Sequence, residues 1–108
     1  MVACFARRAV EYIHANVHLP ITATDVAKAA NLSPRGLQQA FSRQLGTTPT
    51  DYIRTARLEH VRAELLNLDA DVNTVAEVAR RWGFTHLSRF AGAHAEKYGE
   101  HPSDTLRR

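Results

Sequence analysis

Four residues on one stretch of chain, Arg35, Gln38, Gln39 and Ser42, carry side chains suited to the edge of a base pair. Arginine can chelate guanine O6 and N7, and glutamine can chelate adenine N6 and N7, in the major groove of a duplex. At 3.6 residues per turn these four positions share one side of a helix, and Leu37, Ala40, Phe41 and Gln44 share the other. The plain alternative is a solvated helix face. Side chains at expected helix starts form a second group, Ser33, Thr48, Thr50, Thr85 and His86, together with the cations Arg43 and Arg54. Free backbone N–H groups at such positions favour an anionic oxygen, so these residues are expected to hold phosphate. Thr22 and Thr74 are read as ordinary N-caps.

The elements that would position these groups are helical almost throughout, and no window alternates as a strand does. Residues 2–16 form an amphipathic helix with Val2, Phe5, Ala9, Val10 and Ile13 at helical spacing. Thr22 caps a second helix, with Asp25 completing a capping box and Ile21 and Val26 placed for a hydrophobic staple. Ser33 and Pro34 open a third, which carries Leu37, Ala40, Phe41, Gln44 and Leu45 on one side and stops at Gly46. A long helix over about 50–68 follows, with Tyr52, Ile53, Leu58, Val61, Leu65 and Leu66 along its apolar stripe. Asp69-Ala70-Asp71 is a polar link. Thr74 and Glu77 make a second capping box, Trp82-Gly83-Phe84-Thr85 a turn, and the next helix runs past Phe90 and Tyr98 to Gly99. Pro102 and Ser103 open a short closing helix.

An internal repeat organises this plan. Thr22, Asp25, Val26, Ala27, Leu32 and Ser33 recur 52 residues later as Thr74, Glu77, Val78, Ala79, Phe84 and Thr85. Beyond the turn the offset becomes 53, pairing Leu37 with Phe90, Gly46 with Gly99 and Pro49 with Pro102, so the second turn holds one extra residue. Each copy is a short capped helix, a tight turn and a second helix: a helix-turn-helix unit. The expected fold is all-α, about seven helices in one DNA-binding domain. Residues 1–46 form a first helix-turn-helix subdomain, 47–68 a linker helix and 69–108 a second subdomain.

Composition is permissive. The 14 basic residues, 12 of them Arg, exceed the 11 acidic ones by three, which allows an anionic partner without requiring one. Cys4 is the single cysteine, so no internal disulfide forms and a reducing compartment is expected. No apolar run approaches a membrane span, and the chain reads as soluble and cytoplasmic. His14 and His18 straddle a helix end without a third ligand, so no metal or other cofactor is expected. No Gly-rich phosphate loop, nucleophile elbow or working carboxylate pair is present, and the chain reads as no enzyme.

Taken together, Ser33-Pro34-Arg35-Gly36-Leu37-Gln38-Gln39-Ala40-Phe41, Leu45-Gly46, Pro49, Tyr52 and Arg57-Leu58, then Ala79, Trp82-Gly83-Phe84, Ser88-Arg89-Phe90, Tyr98-Gly99 and Pro102-Ser103, resemble the C-terminal DNA-binding domain of the AraC/XylS transcription regulators. The resemblance implies two reading helices in adjacent major-groove segments of double-stranded DNA, with base contacts matching Arg35, Gln38 and Gln39. It also implies RNA polymerase as a partner and a separate sensing domain, so the chain reads as the excised, monomeric reading piece of a longer bacterial regulator rather than as a stand-alone small one. The second copy departs from the pattern. Its outer face reads Leu87, Ser88, Ala91, Gly92 and Ala95, flanked by Arg89. At Gly92 many members have a larger polar residue, and at His94 usually an aromatic. Ser88, Arg89 and Gly92 are its base-side candidates. Gly92 either lets the backbone approach DNA closely or is merely tolerated, and phosphate contact and shape readout are expected to weigh more in this half. His94, Trp82 and Phe84 are expected in the core. A protein-docking bundle and a nonspecific architectural DNA binder are the competing readings.

Overall fold

The computed structural model describes residues 2–67 and 74–107, with residues 2–5 by backbone alone. Seven helices and no strand appear among them: α1 (Val2–Asn16), α2 (Ala23–Ala29), α3 (Pro34–Leu45), α4 (Pro49–Asn67), α5 (Val75–Arg81), α6 (Leu87–Tyr98) and α7 (Pro102–Arg107). No helix is long and apolar enough to cross a membrane. The chain divides into two compact units, Met1–Ala56 and Arg57–Arg108, and the division falls inside α4. The expected Asp69-Ala70-Asp71 link and the side chains of Val2 and Phe5 lie outside the described residues.

In the first unit α1, α2 and α3 pack on one another, burying Ala9, Ile13, Val26, Leu37 and Phe41 almost completely. Tyr52, near the start of α4, sets its ring edge-on to Phe41 and lies 2.8 Å from His14 Nε2 through its hydroxyl. The second unit is built on Leu58, Val61 and Leu65 of α4, Val78 and Ala79 of α5, Phe90 of α6 and Leu106 of α7. Trp82, Phe84 and Tyr98 pack against that core, as their apolar bodies require.

These buried positions extend the repeat over nearly the whole chain. Ala6, Ala9 and Ile13 of α1 stand 52 residues before Leu58, Val61 and Leu65, and all six are buried. Ile53 and Leu106, 53 apart, are likewise buried. The latter half of α4 therefore plays the part of α1 in the second copy, and α7 repeats the first turns of α4. Two apolar residues depart from the sequence expectation. Leu45, on the last residue of α3, is 41% exposed, and Leu66, one step round α4 from Leu65, is 46% exposed.

Local chemistry explains the boundaries. Thr22 Oγ1 accepts from Asp25 N, and the Asp25 carboxylate accepts from Thr22 N at 2.9 Å, so the first capping box is complete. The backbone and then the hydroxyl of Thr22 hold the Asp25 carboxyl below its ordinary pKa. The second box is made by half: Thr74 Oγ1 accepts from Glu77 N, while the structure gives no return bond from the Glu77 carboxylate.

The α2–α3 turn closes as a Schellman motif. Asn31 takes φ 59°, its N–H donates to Lys28 O, and Leu32 N donates to Ala27 O at 2.8 Å. The second turn repeats it, with Gly83 at φ 86° and Phe84 N donating to Ala79 O at 3.0 Å. Left-handed backbone penalises a Cβ, least for Asn and not at all for Gly. A Cβ on Gly83 would sit 3.6 Å from the Arg57 guanidinium, an ordinary contact. Gly83→Ala is therefore expected to destabilise the protein by about 1–2 kcal/mol through backbone conformation alone. A lowered urea midpoint with unchanged slope would show it, and Asn31→Gly should leave the midpoint nearly where it was.

Candidate nucleic-acid interface

The outer face of α3 is built from its cap outward. Ser33 Oγ accepts from Gly36 N at 3.0 Å, and a Cβ at Gly36 would crowd that same oxygen at 3.2 Å. With Leu37, Ala40 and Phe41 buried inward, Arg35, Gln38, Gln39, Ser42 and Arg43 all stand exposed. The helix ends cleanly at Gly46, φ 65°. Gln44 turns partly inward and leaves its Nε2 buried without a hydrogen-bond acceptor.

The hydroxyl-bearing phosphate candidates of this unit lie at helix starts, and Arg43 lies in the last turn of α3. Thr48 Oγ1 accepts from Asp51 N at 3.1 Å, and like Ser33 it keeps its own hydroxyl proton to donate outward. Thr50 is exposed beside it. Arg54 reaches back to Asp51 at 3.2 Å, an exposed pair of the kind contributing well under about 1 kcal/mol. A phosphate could draw that guanidinium away at little cost.

In the second unit the helix starts one residue later than the repeat of Ser33 suggested. His86, not Thr85, is the N-cap residue, and it makes no side-chain cap bond. Thr85 is exposed in the link and is the inserted residue, so its expected place at a helix start is corrected. With the offset of 53, Arg35, Gln38, Gln39, Ser42 and Arg43 correspond to Ser88, Ala91, Gly92, Ala95 and Glu96. Ser88, Gly92 and Glu96 are exposed, Ala91 and Ala95 half-buried. Arg89 is exposed but occupies the register of Gly36, not of Arg35. Leu87 packs against the core and leaves the outer face on which it was placed. Ser103, at the start of α7, is exposed in the register of Thr50; the Pro49–Pro102 pairing signalled it.

The charge is partitioned. Residues 1–56 hold six Arg and Lys against three acids, and residues 57–108 hold eight of each. Much of the second unit's charge is paired internally. Glu64 accepts from Trp82 Nε1 at 2.6 Å and pairs with Arg81 at 2.8 Å, while His60 stacks on the Trp82 ring. Lys97 pairs with Glu59 at 3.2 Å and lies over the Tyr98 ring. Arg62 covers the same ring from 4.4 Å and stands 3.7 Å from Glu100. Burial lowers the pKa of the Arg57 guanidinium, which lies against Gly83.

Beneath these cations His94 is fully buried, its Nδ1 2.9 Å from Glu100 O, and Thr105 Oγ1 donates to Glu100 Oε1 at 2.7 Å. Periodicity placed His94 inward; the pairing of Arg62 with Glu100 gave no sequence signal, since the two are 38 residues apart in the chain.

A family model described as a helix-turn-helix domain matches residues 26–108. The chain is 45% identical over 103 residues to the XylDLEGF operon transcriptional activator 2 of Pseudomonas putida, covering 95% of this chain and 65% of that protein. It is 41% identical over 101 residues to the probable thc operon regulatory protein of Rhodococcus erythropolis, covering 94% of this chain but 30% of that protein. Its fold matches the crystal structure of a probable AraC family transcriptional regulator from Rhodopseudomonas palustris CGA009 with a TM-score of 0.88 and 35% identity, over 96% of this chain and 95% of that one. The chain thus spans only part of the length of both curated relatives.

The missing cap of α6 has a measurable consequence. His86→Ser is expected to stabilise the protein by about 0.5–1 kcal/mol, by giving the first turn of α6 the acceptor that Ser33 gives α3. A raised urea midpoint checks it.

Proposed function

The chain belongs to the AraC-type helix-turn-helix family, the DNA-binding domains of transcription regulators, and from that premise we propose that α3 and α6 each enter a major-groove segment of double-stranded DNA, with α3 reading bases through Arg35, Gln38, Gln39 and Ser42. The observation that carries this is the outer face of α3. It places a guanine-chelating side chain, two adenine-chelating ones and a hydroxyl together on a capped, rigid helix. Ser33, Thr48 and Thr50 at the flanking helix starts, with Arg43 and Arg54, hold the phosphates on either side of the groove. In the second unit Ser88 contacts bases and Arg89, Thr85 and His86 face the backbone.

The relatives named above are operon regulators, one of them more than three times the length matched here. This chain is accordingly the reading domain of a longer, effector-responsive regulator acting in the bacterial cytoplasm. It is monomeric as this piece, and RNA polymerase is its protein partner on DNA.

The test is selection of binding sites from a random duplex library at two salt concentrations. A bipartite motif, one block per reading helix, is the expected result; no enriched sequence at either salt would overturn the reading. On the recovered site Arg35→Ala should cost about 1–3 kcal/mol and relax preference at one base pair. Equal weakening on every sequence would instead make Arg35 a phosphate contact.

A further inference from the structure

Resting on the reading above that α6 faces DNA, we propose that it reads its block by close approach and apolar contact with thymine C5-methyl groups, through Gly92, Ala91 and Ala95. At the register positions where α3 carries Arg35, Gln38, Gln39 and Ser42, α6 carries Ser88, Ala91, Gly92 and Ala95. Only Ser88 among these can make a side-chain hydrogen bond. The direct readout left to the others is methyl against methyl, and the thymine methyl is the one apolar group on a major-groove base edge.

Two further observations point outward from the same face. Gly92 has an ordinary helical backbone, and a Cβ there would meet nothing within 4 Å. Nothing inside the protein calls for glycine, although in mid-helix it is less stable than alanine. What a Cβ would obstruct is something outside. Ala91 also borders an open, mostly apolar groove of about 300 Å³, formed by Val75 and Ala76 of α5, Leu87 and Phe90 of α6, and Pro102 of α7, with His101 and Ser103 at its polar side. Ala91 brings the edge of this groove onto the outer face of α6, where a thymine methyl would meet apolar surface.

The neutral charge of residues 57–108 fits this mode. The first unit carries the net positive charge and the longer hydrogen-bonding side chains, and the second, holding phosphate through Arg89, Thr85 and His86, discriminates by apolar contact at short range.

The experiment uses the two-block duplex recovered by selection. Replacing thymine by deoxyuridine in the second block deletes only the methyl, and should weaken binding about fourfold per methyl seated. Gly92→Ala should raise the melting temperature by about 4 °C while weakening binding at least fivefold, a loss that vanishes when the second block is scrambled. Because that variant is expected to be more stable, weakened binding cannot come from misfolding. Full affinity with deoxyuridine, or a Gly92→Ala protein that binds as tightly as its parent, would overturn the inference. Selection of a first block alone would overturn it too, leaving the α3 reading intact, whereas no selection of either block would remove the reading on which it rests.

Discussion

The face that α3 offers depends first on a pair of backbone hydrogen bonds. At Asn31 the chain turns into the left-handed region, and the amides of Asn31 and Leu32 return to the carbonyls of Lys28 and Ala27. Those bonds satisfy α2's last carbonyls and fix where the chain leaves it. Ser33 then caps the next helix within two residues. Between the closing bond and the new cap there is no slack, so the rotation of α3 about its axis is set by its buried residues and its entry by the turn. Only with both determined do Arg35, Gln38 and Gln39 share one outward surface.

The two copies keep this frame and diverge in what they hang on it. Inward positions change volume: Phe90 for Leu37, and Leu58 and Val61 for Ala6 and Ala9, are larger, and His94 for Phe41 is smaller. A ring nitrogen in place of a phenyl edge demands a partner, and the carbonyl of Glu100 supplies it. Outward positions are free of such demands, and there the copies differ in kind. One presents long polar side chains under a net positive charge; the other presents a hydroxyl, two methyl groups and bare backbone under none.

Most of the helical plan was legible because its signals are local. Thr22 with Asp25, Ser33 with Pro34, and the glycines at 46 and 99 mark helix ends through bonds made within a few residues. The inward face of α3 followed from period alone. What escaped depended on geometry several residues away or on the other side of the chain. An apolar type was enough to suggest burial for Leu45 and Leu66, but helix phase and position at a helix end leave both largely in solvent. A capping pattern at Thr74 looked complete, yet Glu77 makes only its backbone half. The extra residue in the second turn could be counted, but its place could not; it lies ahead of the cap, which is His86 and not Thr85. The pairing of Lys97 with Glu59 joins residues 38 apart and has no local signature.

Thr85 carries a consequence of its own. It lies after the bond from Phe84 to Ala79 and before the first residue of α6, so it lengthens the connection without touching the closed turn or the buried side of either helix. A lineage could therefore gain or lose a residue there without disturbing the packing of the unit. Each such event would shift the written alignment of the two copies while their buried faces stayed in place. Family comparisons that forbid gaps at this point would then mistake a length polymorphism for a change in DNA preference.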